Sequence, residues 1–302
     1  MKLTKLIKDY ALFWAMVLGA IFYPWLWQLA PLCTYTLFLM LFLSYTKIKP
    51  SEIRLKYTHG IMFAVQWVLG ILAYFVIEPF DRLIAIGVSA LILTPTATAA
   101  AVITGMLGGN IAFVTTYMIV SNIAIALIGP VLIGAVHPDM GGSYWSMVLA
   151  IFGKVSALLV LPLVIVWTLR YALPKVHDRI AKLSNWTFWI WAFNIMVLMS
   201  SAVHTFVVSE QLTIRYTGLL MLITTMTTLA LYFLGGRCAS WTGERVVNGR
   251  QTLGQKNTVF TIWLAITFLD PEIAFFPTLY IITQNVINSL ELAAYRRHNG
   301  TN

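Results

Sequence analysis

The chain has 302 residues, of which 59% are hydrophobic and only 10% charged, where a soluble domain gives about a quarter of its residues to Asp, Glu, Lys and Arg. That deficit excludes an ordinary water-soluble fold. The net charge of +9 would suit nucleic acid if it formed one patch, but the basic residues fall in short clusters between apolar runs, so they set orientation in a membrane instead.

A hydrocarbon core ~30 Å thick takes roughly 20 helical residues to cross, and apolar runs of that size recur along the whole chain. In chain order they predict ten spans at about 11–29, 31–46, 58–78, 82–107, 110–135, 144–170, 185–207, 214–235, 243–269 and 272–295. Runs this uniformly apolar are not the alternating strands of a barrel, and no other structure satisfies its backbone in lipid. The predicted fold is an all-α polytopic membrane protein. The first run follows Lys2, Lys5 and Lys8, is too long for a signal h-region and lacks a small-residue cleavage site, so it reads as a retained helix. Cys33 falls near one face and Cys238 near the other, which rules out a disulfide between them, and neither reads as a metal ligand.

With these spans, Lys2, Lys5, Lys8, Lys47, Lys49, Arg54, Lys56, Arg170, Lys175, Arg179, Lys182, Arg237, Arg245, Arg250, Arg296 and Arg297 share the side of the two termini. Only Arg82 and Arg215 fall in loops on the other side. Both termini are therefore predicted to be cytoplasmic. The expected location is the plasma (inner) membrane, as a multi-pass protein.

The connection over residues 136–143 divides the spans into five and five, and an odd number per half places two similar halves upside down relative to one another. The predicted repeats are 1–136 and 144–295. Inverted repeats are a building plan of secondary transporters, whose sites lie at the midplane and are made by broken helices. Two interruptions stand in matching places. In the fourth span, Thr94-Pro95-Thr96-Ala97-Thr98 sets a proline and three threonines at mid-membrane, and the proline removes a backbone hydrogen bond. In the ninth, Gly254-Gln255-Lys256-Asn257-Thr258 interrupts an apolar run with residues that lipid disfavours.

These residues, Pro95-Thr96-Ala97-Thr98-Ala99-Ala100-Ala101-Val102 with Gly109-Asn110-Ile111-Ala112, and Gly254-Gln255-Lys256-Asn257-Thr258, resemble the fourth- and ninth-helix motifs of the bile acid:sodium symporter family. The resemblance implies two inverted five-helix repeats. It implies a panel domain of about 11–46 and 144–207, and a core domain of about 58–135 and 214–295. Helices four and nine would be broken and cross, with substrate moving in the crevice between panel and core. Half-helix N-termini at such a crossing point partial positive charge into the crevice, which suits an anion.

The departures concern sodium. The positions where the family has a Ser-Asn pair hold Ala100 and Ala101, the helix-nine glutamate corresponds to Thr252, and the helix-five hydroxyls align with Val114 and Met118. Gln66 aligns with a second sodium site whose helix-nine glutamine is replaced by Lys256. A hard cation needs several oxygens, so sodium coupling is doubtful, and an ammonium in its place can hydrogen-bond the same carbonyls. Two explanations for Lys256 stay open: an internal cation, or a group that exchanges a proton. Lys154 lies about ten residues inside Tyr144, ~15 Å deep. Lys256 is nearer the cytoplasmic end, where it would snorkel more easily. Asn257, Thr258, Thr261, Gln284, Asn285 and Asn288 would add polar lining.

The candidate substrate- and ion-binding residues are thus Gln66, Thr96, Thr98, Ala100, Ala101, Lys154, Thr252, Gln255, Lys256, Asn257 and Thr258, with no metal site and no cofactor. There is no Asp-rich metal motif, no His-Glu-x-x-His and no nucleophile with a buried base, so an enzyme is not expected. The expected function is secondary transport of a small organic anion by alternating access, with membrane lipid as the surroundings and no nucleic-acid partner. The alternatives are a sodium-coupled symporter with altered ligands, or a membrane sensor that does not transport.

Overall fold

The computed structural model describes residues 14–136, 143–210 and 212–298. Among them the chain is helical throughout and forms no strand, apart from one isolated β-bridge. A turn at Tyr23–Leu26 leads into α1 (Leu32–Tyr45), followed by α2 (Tyr57–Ile77), α3 (Arg82–Leu93), α4 (Thr98–Met106) and α5 (Ile111–Val136). The second half runs through α6 (Tyr144–Leu159), α7 (Leu161–Ala172), α8 (Pro174–Ala181), α9 (Thr187–Val208), α10 (Ile214–Trp241), α11 (Val246–Gly254), α12 (Thr258–Phe268) and α13 (Phe275–His298). Lys2, Lys5 and Lys8 lie outside the described residues, as does all but the two ends of the predicted midpoint at 136–143.

Five helical segments are long and apolar enough to cross a membrane, and seven if two bent pairs each count as one span. The protein is therefore of integral-membrane type. Four predicted spans are not continuous, the first being interrupted by a turn at Phe22. The fourth is divided into α3 and α4 and the ninth into α11 and α12, and the 12 residues of α3 or 11 of α12 are too short to cross alone at 1.5 Å per residue. The sixth bends by 43° between α6 and α7. Pro162 sits in the first turn of α7, where it lacks the N–H that a straight helix would need.

Apolar residues do most of the packing, and small residues set the closest approaches. A Cβ added to Gly249 of α11 would lie 2.0 Å from the carbonyl oxygen of Gly235 in α10, and one added to Gly235 would lie 2.2 Å from that of Gly249. The two backbones touch, as small residues permit between helices in lipid.

A polar cluster ties three elements together at one end of the molecule. Lys56, before α2, contacts Glu244 at 2.6 Å. Asn248 of α11 donates to the same carboxylate at 2.9 Å and accepts from the N–H of Asn110 at 2.8 Å, before α5.

The crossing of two broken helices

Each break follows from local chemistry. Thr94 precedes Pro95 and takes the extended ψ of 135° that a residue before proline prefers, so α3 stops there. Three residues on, Ala97 is also extended, and α4 begins with no side-chain cap. In the other half α11 ends at Gly254, and Asn257 caps α12 by accepting from the Phe260 N–H through its side chain.

The two interruptions pair with each other. The Asn257 N–H donates to the Pro95 carbonyl at 2.9 Å, and the Ala97 N–H donates to the Gln255 carbonyl at 3.0 Å. This is an antiparallel bridge centred on Thr96 and Lys256. Backbone groups that lipid would leave unsatisfied are thereby paired inside the protein.

Further stranded carbonyls are met by side chains. Lys256 Nζ donates to Ile92 O at 2.8 Å and Thr94 O at 3.0 Å. Gln66 Nε2 donates to Leu93 O and Thr94 O, both at 3.0 Å, while its Oε1 accepts from Tyr117 at 2.6 Å. Across the crossing, Thr96 Oγ1 donates to Thr252 O at 2.6 Å and Tyr280 donates to Gly254 O at 2.6 Å. Gln284 accepts from the Lys256 N–H at 2.9 Å.

Of the candidate residues, Gln66, Thr96, Thr98, Thr252, Gln255, Lys256, Asn257 and Thr258 therefore gather at or beside the crossing. Lys256 does not snorkel: it is only 1% exposed, because the break turns its side chain towards the end of α3. Thr252 keeps its hydroxyl on its own helix, donating to Asn248 O. Ala100 packs in an apolar cluster with Val114 and Leu253, while Ala101 is half-buried and Met118 fully buried. None of these side chains offers an oxygen. Lys154 stands apart on α6, exposed, with its ammonium 5.5 Å from the ring centroid of Phe268 at the far end of α12.

Tyr117, Tyr280 and Ser121, whose hydroxyl accepts from the Thr96 N–H at 3.3 Å, were not singled out by the sequence reading. Each lies within an apolar run, and nothing local marks its hydroxyl as the partner of a distant carbonyl.

A cavity of about 70 Å³ adjoins the crossing, floored by Thr94 and Thr261 and walled by apolar residues such as Ile86, Leu93, Ile125 and Leu264. The two threonine hydroxyls lie 2.6 Å apart. Beside the crossing, Gln255 Oε1 and Asn257 Nδ2 are buried without a protein partner. Residues 97–99, at the uncapped start of α4, are half-buried, so the positive end of that helix faces accessible space.

No protein-family model matches the chain, and no curated protein matches it.

Proposed function

We propose that the chain is a secondary transporter of bile acid:sodium symporter design, carrying a small organic anion between a panel and a core domain by alternating access. The reading takes ten spans in two inverted repeats, 1–136 and 144–295, with the panel at about 11–46 and 144–207 and the core at about 58–135 and 214–295. The observation that carries it is the pairing of two interrupted helices through the bridge between Thr96 and Lys256. Broken helices at corresponding positions of two halves are how carriers build a midplane site. Two features favour an anion: the half-exposed, uncapped start of α4 and the exposed ammonium of Lys154.

Proteoliposomes containing the purified chain should take up at least one member of a panel of radiolabelled small carboxylates and sulfonates, saturably and above empty vesicles. If no member is transported and none raises the thermal unfolding midpoint, the carrier reading is wrong.

The orientation is tested separately. Cys33 and Cys238 are buried, so a single cysteine introduced at Lys49 or at Gly141 reports its own side. Membrane-impermeant labelling of intact cells should reach position 141 and spare position 49. Equal labelling of the two would overturn the predicted sidedness.

A further inference from the structure

We propose that Lys256 is a built-in cation, seated at the end of α3 where a carrier of this design would otherwise bind an ion from solution. The inference rests on the carrier reading only for what the seat would otherwise hold; that the seat is filled stands on geometry alone.

The seat exists because Pro95 has no N–H and the chain turns away at Thr94, which strands the last carbonyls of α3. These carbonyls are also the negative end of the helix dipole. A dehydrated monovalent cation would settle there by drawing on several oxygens at once, as hard cations do. The chain has already engaged four carbonyls at this end. Lys256 Nζ meets Ile92 O and Thr94 O, Gln66 meets Leu93 O and Thr94 O, and the Asn257 N–H meets Pro95 O. The ammonium adds repulsion to occupancy.

The end of α11 provides an internal comparison. Two of its stranded carbonyls, Thr252 O and Gly254 O, are matched by the neutral hydroxyls of Thr96 and Tyr280. Hydrogen bonding alone is therefore met without charge at one helix end, while a full positive charge is placed at the other. The described side chains that bond to this region, Gln66 from α2, Tyr117 and Ser121 from α5, Thr261 from α12 and Gln284 from α13, include no carboxylate. What the ammonium answers is the negative end of α3.

The test uses purified full-length protein and thermal unfolding in NaCl, KCl or choline chloride at equal ionic strength. Wild type should unfold at the same temperature in all three. Lys256→Met, which keeps the stem and removes the charge, should unfold earlier in choline and recover by about 3 °C or more, saturably, as sodium is added. A sodium-specific rise in the wild type would overturn the proposal, as would a folded Lys256→Met indifferent to sodium and potassium. Should Lys256→Met yield no folded protein, Lys256→Ala prepared in ethylammonium chloride decides instead. Rescue by ethylammonium but not by tetramethylammonium supports the seat; equal yields in the two salts overturn it. None of these readouts uses flux, so they stand or fall apart from the carrier reading.

Discussion

Replacing Lys154 with glutamine is expected to raise the half-saturating concentration of a transported anion by about tenfold or more, with little change in thermal stability. Among the described residues its ammonium has no hydrogen bond or ion pair and lies 5.5 Å from the centre of the Phe268 ring. It is exposed on α6, so its removal strands no buried partner. A charge-assisted hydrogen bond to a carboxylate contributes about 1.5–3 kcal/mol, and about 1.4 kcal/mol is a factor of ten in affinity. Lys154→Arg keeps the charge and should retain most of the affinity. Concentration-dependent uptake in proteoliposomes, with unfolding midpoints measured alongside, separates the outcomes. Unchanged half-saturation in Lys154→Gln would mean that the lysine merely snorkels and takes no part in recognition.

Gly249→Leu is expected to have the largest effect on folding. The substituted Cβ would stand 2.0 Å from the Gly235 carbonyl oxygen, and because that atom is backbone, no rotamer change relieves the overlap. The α10–α11 pair has to separate, and α11 carries that displacement to Gly254 and the crossing. Overpacking costs about 1–3 kcal/mol even where side chains can yield, so a backbone clash should cost at least about 3 kcal/mol. The expected result is aggregation on size-exclusion chromatography, or a midpoint lowered by about 10 °C. Gly218→Leu, on the same α10, is the control, since a Cβ there meets nothing within 4 Å. If the two variants are equally stable, the close contact between α10 and α11 does not hold the pair together.

The two breaks were legible because they violate the rules of lipid. A proline between threonines, and five successive residues that lipid disfavours, have no place in a continuous span. Their pairing follows from the same rule, since stranded backbone groups at one depth have few partners except each other. The bend at Val160 was missed although Pro162 is visible, because the apolar run on either side of it dominates the reading. The snorkelling expected of Lys256 fails because the chain turns at Gln255 and the side chain points at Ile92. Tyr117 and Tyr280 were illegible for a different reason. Which hydroxyl meets which carbonyl depends on how α5 and α13 pack against the breaks, and no local pattern encodes that.

A fixed charge at Lys256 bears on the direction of travel. If no cation accompanies the substrate, each monovalent anion carries its own charge across the membrane, and the voltage acts on it alone. About 2.3 kcal/mol per elementary charge for every 100 mV corresponds to roughly fiftyfold at equilibrium. In a cell that is negative inside, that gradient pushes anions out. On the carrier reading, an ammonium that closes the seat at the end of α3 would thus leave the voltage working against accumulation of the anion.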